Sequence, residues 1–405
     1  MAKVGPPIRL LTAVPICDGH DSAISTINLE FIRHGIEVIY LGYHRSADDI
    51  ARAAVQEDVR AVGISSYNGG HVEFFAQVIR RLKERGGPNI GLFGGGGGTI
   101  THDDEKLMLK SGVSRVFFPG TPLEEIVAFV KKQYGGMRQG NGVVSQRGDD
   151  HALAHELTTA LNSARPSRMP KRSSRNQRPR VIGITGPGGA GKTTLIDELV
   201  LRYLKSDPTL RIAVLSHDPS IIGSGALLGD RAAMLYCQND RVFMRSLASA
   251  SRAGGLAPGT ERYLDILFQQ PHTRAFDVIF LETVGIGQEA VPFGTGLVDQ
   301  TILVMSPDYG SRLQLQKIAM LDAADIVVVN KSDLSAAKTA STEIEQRLAF
   351  NGRGQKLVST VAKRHRDPGV DELFRLCTPH GGTGVPPVQR TQHGRDARAT
   401  GTPLA

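Results

Sequence analysis

Gly186-Pro187-Gly188-Gly189-Ala190-Gly191-Lys192-Thr193 sits between an apolar run, Val181–Thr185, and a stretch of helical periodicity, Thr194–Leu204. A buried strand, a glycine loop and a helix in that order make a phosphate cradle. The glycines leave backbone N–H groups open to an anion, and the helix N-terminus favours negative charge. In this pattern Lys192 reaches the outer phosphates and the Thr193 hydroxyl ligates Mg2+, while Gly186, Gly188, Gly189, Ala190, Gly191 and Thr194 surround them. Two later stretches complete a nucleotide switch. Asp325–Val329 reads as a strand ending in Asn330-Lys331-Ser332-Asp333. A carboxylate at Asp333 accepts from the guanine N1–H and 2-amino groups, donors that adenine lacks, so the expected nucleotide is GTP. Asp277–Leu281 reads as a strand ending in Glu282-Thr283-Val284-Gly285, the place of a loop that senses the γ-phosphate. Glu282 would hold Mg2+ directly or through water. Asp218, after the strand Ile212–Leu215, is either a second Mg2+-shell carboxylate or a cap for the turn. Gln288 either orients the attacking water or is a solvated loop amide. Ser359-Thr360-Val361 is a candidate for a second loop around the guanine.

The strand–helix alternation extends to both sides of this stretch. Ile8–Val14, Glu37–Leu41, Ala61–Ser65, Ile90–Phe93 and Arg115–Phe118 read as short apolar strands with amphipathic helices between them. Such a pattern predicts parallel sheets covered on both faces. The fold class is therefore α/β, with two doubly wound parallel-sheet domains. The first covers residues 1–134 with about five strands and is flavodoxin-like; the second, the P-loop G domain, covers 181–376. Residues 135–180 are expected to be a linker with one helix over His151–Ser163. Its end, Arg165–Arg180, carries seven basic residues and no acid. Residues 377–405 lack apolar periodicity and are expected to be disordered.

Composition agrees with a chain of two domains. It has 405 residues, 40% hydrophobic and 22% charged, and domains run to about 150 residues each. Aromatics are 5% with no Trp, which speaks against a surface for stacking sugars or bases. The net charge of +8 owes much to Arg165–Arg180, so a basic face for nucleic acid is not expected. Cys17, Cys237 and Cys377 have no disulfide or metal-ligand spacing, which suits a reducing, cytoplasmic setting. No apolar run approaches the roughly 18 residues of a membrane span.

In the N-terminal domain, Asp18-Gly19-His20 follows the first strand, Ser65-Ser66 ends the third, and Gly94–Gly98 ends the fourth. In a doubly wound sheet those loops share the ligand-binding edge. The set resembles the cobalamin-binding fingerprint of coenzyme-B12 mutases, at matching separations over residues 8–134. Phe118-Pro119-Gly120-Thr121 resembles that family's turn before the last helix. The resemblance implies that His20 binds cobalt in place of the cofactor's own base, with Asp18 setting the imidazole tautomer. It also implies that Ser65, Gly94, Gly95 and Thr121 line the slot for the displaced nucleotide tail. Two positions depart from the fingerprint: Ala23 stands where Gly is usual, and Tyr67 replaces Leu.

Residues 181–376 resemble the G-protein chaperones of cobalamin-dependent acyl-CoA mutases, on Asp218-Pro219-Ser220, Gly225–Arg231, Arg245–Ala248, Glu282–Gln288 and Asn330–Asp333. The two domains in this order resemble the front half of the fused isobutyryl-CoA mutases. The resemblance implies adenosylcobalamin, GTP and Mg2+ as ligands, and a GTPase that gates cofactor loading or reactivation. It implies a mutase barrel as partner, within a homo- or hetero-oligomer. The stretch after Leu376 is too short for a (β/α)8 barrel of about 250 residues, so this chain alone is not expected to isomerise an acyl-CoA. A corrinoid carrier and a cobalamin-sensing regulator that binds DNA through Arg165–Arg180 are the alternative classes.

Overall fold

Short, largely apolar runs bounded by glycine and polar residues form the strands, and helices with one apolar face cross between them. In the computed structural model, the described residues are 7–16, 18, 22–136, 150–161, 178–220, 225–250, 254–270, 275–285, 292–293, 296–309 and 319–378. The first domain runs β1 (Arg9–Ala13), α1 (Ser22–Arg33), β2 (Glu37–Tyr40), α2 (Ala47–Gln56), β3 (Ala61–Ser65), α3 (His71–Glu84), β4 (Gly91–Gly95), α4 (His102–Ser111), β5 (Arg115–Phe117) and α5 (Leu123–Tyr134). A separate helix, α6, spans Asp150–Leu161. The second domain then runs β6 (Arg180–Thr185), α7 (Lys192–Ser206), β7 (Ile212–Asp218), β8 (Ala226–Leu228), α8 (Asp230–Ala233), β9 (Val242–Ala248), α9 (Thr260–Phe268), β10 (Val278–Glu282) and β11 (Gln300–Met305). It closes with α10 (Ala319–Ala323), β12 (Ile326–Val329), α11 (Ala337–Asn351), β13 (Lys356–Ser359) and α12 (Pro368–Cys377).

Both sheets are parallel and wound in both directions. The first has the order β5-β4-β3-β1-β2-β8 and the second β13-β12-β11-β6-β10-β7-β9. In the first, the chain leaves β1 for β2 on one side and then reaches β3 on the other, so the loops after β1 and β3 part company and open a crevice. One face is filled by α1 and α5 through Phe31, Val127 and Val130, the other by α2, α3 and α4 through Ala51, Val78 and Met108. In the second sheet, α7 and α12 cover one face and α6 and α9 the other.

The sixth strand of the first sheet is not among the five expected. Ala226, Leu227 and Leu228 pair with Glu37, Val38 and Ile39 of β2, although they lie within the second domain's sequence. Three residues whose partner strand is far back along the chain give no local pattern to read. The strand is steered by Gly225, whose N–H donates to Ile32 O at 3.0 Å and where a Cβ would collide with the Ile32 and Ile36 carbonyls.

Below that strand the two domains meet across buried charge. Helix α2 starts with a capping box between Ser46 and Asp49 and is alanine-rich, so it fits between both bodies. It ends at Glu57, whose side chain is fully buried. The Glu57 carboxylate accepts from Arg9 Nη2 at 2.8 Å, from Arg231 Nε at 3.0 Å and from the Ser246 N–H at 3.0 Å. Gln56 beside it accepts from Arg231 Nη2 at 3.2 Å and donates to Val242 O at 2.8 Å. A carboxylate sequestered among guanidiniums is tolerated because each of its oxygens has donors.

Candidate functional site

The C-terminal ends of β6, β7 and β10 converge on the glycine loop. The loop turns through Gly186, Gly189 and Gly191, with φ of 145°, 73° and 88°. Gly191 is the N-cap of α7, and a Cβ there would strike the Asn330 amide, so both its backbone angle and its surroundings call for glycine. Gly188 and Gly189 are exposed, whereas Ala190 is buried. Lys192 is buried and donates to Gly186 O at 3.0 Å and Pro187 O at 3.2 Å. Burial pushes its pKa down, opposed by Glu282 and Asp230. Its ammonium lies across the loop where phosphate oxygens would replace those carbonyls. Thr194 stands exposed on the first turn of α7.

Beside Lys192, two hydroxyls and two carboxylates interlock. Thr193 Oγ1 donates to Glu282 Oε1 at 2.8 Å and lies 3.4 Å from Asp230 Oδ1. Ser216 Oγ lies 2.8 Å from Glu282 Oε2 and also contacts Asp230 Oδ2. Each hydroxyl has one hydrogen for two acceptors, so acceptor capacity exceeds the donors present. Asp218 adds a buried Oδ2 with no hydrogen-bond partner among the described residues. Burial first, then Asp230 and Glu282, push the Asp218 carboxyl up to about 8; burial and Asp230 push Glu282 up to about 8 as well. Asp230 is raised by burial.

Surplus buried oxygen acceptors beside a P-loop threonine suit a hard divalent cation. No three His, Cys, Asp or Glu side chains among the described residues form a metal cage on their own. Mg2+ needs no such cage, because it keeps waters and takes ligands from phosphates. Sequence reading placed Thr193, Glu282 and Asp218 here and missed Asp230 and Ser216. The signal for Asp230 was its place inside the Gly225–Arg231 match. Ser216 had none, being one serine in a buried strand. Behind Glu282, His217 is buried and held neutral, its pKa pushed down to about 4 by burial. Its Nδ1 lies 2.7 Å from Glu282 O, an arrangement that requires the Nδ1–H tautomer. The switch loop touches the cradle directly, since a Cβ at Gly285 would run into Gly188. Gln288 lies outside the described residues.

The Asn330–Asp333 stretch arrives from β12. Asn330 is buried, donates to Ala190 O at 2.9 Å and accepts from Thr360 Oγ1 and the Ala362 N–H, both at 3.0 Å. It thus ties the phosphate loop to the end of β13 and the loop after it, where Ser359-Thr360-Val361 lie. Lys331 adopts a φ of 57°. The Asp333 carboxylate pairs with Lys363 Nζ at 2.7 Å, which holds its pKa below the ordinary value.

At the first sheet's carboxyl edge, the buried Asp18 accepts from the backbone N–H groups of Tyr67 and Asn68. It therefore ties the loop after β1 to the loop after β3. Gly19 and His20 lie outside the described residues. Ser65 pairs with Gly95 in register, and Ser66 N–H donates to Gly95 O at 2.9 Å. Cβ atoms at Gly94 and Gly95 would collide with the Ile64 and Phe117 carbonyls, so this floor admits only bare backbone. The Tyr67 ring lies directly over Gly97, where a Cβ would overlap it. Thr121 Oγ1 donates to Phe118 O at 2.8 Å, closing the turn before α5. A glycine floor at a topological switch point fits a flat ligand part laid against backbone, and Tyr67 narrows the space above it.

A cradle with a threonine–carboxylate set on one sheet and a glycine-floored crevice on the other define a nucleotide switch joined to a ligand-binding α/β domain. Residues 154–391 match the family described as "Methylmalonyl Co-A mutase-associated GTPase MeaB", and residues 8–128 match the B12 binding domain. The chain belongs to the family of methylmalonyl-CoA mutase-associated GTPases and carries a B12-binding domain ahead of the GTPase domain. It is 33% identical over 401 residues to a fused isobutyryl-CoA mutase of Geobacillus kaustophilus, covering 91% of this chain and 36% of that protein. A fused isobutyryl-CoA mutase of Cupriavidus metallidurans is 37% identical, with 91% and 35% covered. A Pyrococcus abyssi protein described as a GTPase is 35% identical over 248 residues, 58% of this chain and 73% of that one. The chain spans about a third of the length of the fused relatives.

Proposed function

We propose that this chain hydrolyses GTP with Mg2+ and uses that cycle to govern adenosylcobalamin bound by its first domain, in the service of an acyl-CoA mutase barrel. The observation that carries the reading is the set Lys192, Thr193, Glu282 and Asp230, packed between a phosphate cradle and the Asn330–Asp333 loop. Lys192 would trade its two loop carbonyls for β- and γ-phosphate oxygens. Bound Mg2+ would supply charge neutralisation across the β- and γ-phosphates. Thr193 and the carboxylates of Glu282, Asp230 and Asp218 would hold it, and Gln288 is the candidate to orient the water. Attack of that water on the γ-phosphorus breaks the bond to the bridging oxygen and leaves GDP and phosphate. Asp333 would exchange Lys363 for the guanine N1–H and 2-amino donors.

On the other sheet, His20 would ligate cobalt, while Ser65, Gly94, Gly95 and Thr121 would flank the tail. When bound, adenosylcobalamin supplies the radical that starts a 1,2 carbon-skeleton rearrangement. The fused relatives' names support a mutase as partner. The buried, free thiols of Cys237 and Cys377 suit a cytoplasmic setting, and no helix among the described residues is long and apolar enough to cross a membrane.

Two measurements test this. Purified protein should turn over GTP but not ATP, and Lys192→Ala should lower that turnover by at least about a hundredfold, as loss of a charge on transferring phosphate does. Equal rates on ATP and GTP in the wild type would refute the guanine assignment. Adenosylcobalamin should bind with the spectrum of a histidine-ligated, base-off cofactor. His20→Ala should lose that spectrum, and an unchanged one would refute the cobalt assignment.

A further inference from the structure

The segment Gly225–Ala233 belongs to the second domain by sequence and to both domains by its bonds. It begins as β8, paired with β2 of the first sheet. Its next polar side chain, Asp230, stands against Thr193 and Ser216 in the GTPase site. The residue after that, Arg231, has no exposed surface and turns the opposite way. Its Nε donates to Glu57, and its Nη2 donates to Gln56 Oε1 and to Met244 O at 2.5 Å. One residue later the carbonyl of Ala232 accepts from Arg45 Nη2 at 2.7 Å. Adjacent Cα atoms are about 3.8 Å apart, so a shift of the backbone at 231 carries the backbone at 230 with it. Whatever holds Arg231 in place therefore limits where the Asp230 backbone, and with it the Asp230 carboxylate, can stand.

We propose that Glu57, a residue of the cobalamin-binding domain, is a positioning residue for the GTPase metal site, acting through Arg231 on Asp230. The proposal rests on the reading of the second domain as a Mg2+-dependent GTPase. Arg231 is held on one side by a charged partner and on the other by two neutral acceptors, so Glu57 supplies its only ion pair among the described residues. Without that charge the short helix α8 loses its anchor to α2, and Asp230 stands in a wider range of positions. The coupling runs in both directions: binding that draws Asp230 toward a cation must also load Arg231, Glu57 and the β8–β2 pairing.

The test compares wild type, Glu57→Gln and Glu57→Asp, titrating MgCl2 against the affinity of a fluorescent, non-hydrolysable GTP analogue and against GTP turnover. Glu57→Gln should raise the Mg2+ midpoint by about tenfold, the size expected when support behind a metal ligand is lost. Added Mg2+ should recover the loss, and Glu57→Asp, which keeps the charge, should lie between the two. Arg231→Lys combined with Glu57→Gln should cost no more than the larger single effect. A midpoint within about twofold of wild type in Glu57→Gln would overturn the proposal. A second readout needs no variant. In the wild type, amide exchange at Ala226–Leu228 and Val38–Tyr40 should slow when Mg2+ and the analogue bind, and unchanged exchange would overturn the proposal. Failure of the wild type to bind the analogue at all would refute the GTPase reading, and this proposal with it. Mg2+-dependent binding with unmoved midpoints and exchange would refute the positioning role alone.

Discussion

Tyr67 shows what a single side chain decides at the carboxyl edge of the first sheet. Its backbone N–H is held by Asp18, and its ring covers Gly97 at the end of the glycine run. The ring is 42% exposed, so its removal opens space without emptying a core. Tyr67→Leu is expected to tighten cobalamin binding several-fold with little effect on stability, since exposed substitutions change it by about 0.5 kcal/mol or less. Equilibrium titration of the variant checks this, and weaker binding would mean that the ring helps hold the ligand. The same residue marks what the sequence reveals. Gly186–Thr193 and Asn330–Asp333 are legible because their chemistry lies in consecutive residues, with strand and helix beside them. Tyr67 was legible as a departure, but its seat on Gly97 was not, because that contact joins two loops. Asp230 and Ser216 were missed for the same reason: each becomes a site residue only when β7, β10 and α7 converge.

Among the elements, β8 carries the most consequence for its size. The alternation of apolar strands and helices gave both sheets but left β8 out, because three residues between two glycines show no periodicity. Leu228 is fully buried and belongs to the core of the first domain, among Leu11, Ile39 and Ile50. Leu228→Ala should therefore destabilise the first domain by about 2–5 kcal/mol, although the mutation lies in the second. Urea denaturation followed by amide exchange at β2 would show it, and a loss confined to the second sheet would contradict the pairing. Helix α6 joins the bodies in a different way. Leu153, Ala154 and Leu157 enter the second core, while His155 Nδ1 lies 3.5 Å from Asp58 Oδ2 of the first domain. Asp58 raises the His155 pKa above 6.5; burial would raise the Asp58 pKa, but the hydrogen bond from His155 and the charge of Arg245 take it below 3.8. The histidine's contribution is complete below 6.5 and is lost as pH rises through its elevated value. The aspartate's is complete above 3.8 and is lost as pH falls. Stability should thus decline as pH rises above 6.5 and through the elevated pKa of His155. His155→Gln should flatten that slope in urea titrations, and an unchanged slope would show that the pair does not report on docking.

At the scale of the molecule, the two sheets are closed on each other by a strand and a buried carboxylate, so the boundary between domains in space is not the boundary in sequence. That has a consequence during synthesis. The ribosome releases β2 early, but the strand that covers its edge follows roughly 190 residues later, about ten to forty seconds at ordinary rates of elongation. For that interval the nascent chain presents a bare parallel edge at Glu37–Tyr40 and a Glu57 whose Arg231 partner does not yet exist. An uncovered edge is a template for pairing with another chain. Folding of the first domain is then completed only when the opening part of the second has been made, and newly made chains are vulnerable to mispairing with one another until Leu228 leaves the exit tunnel.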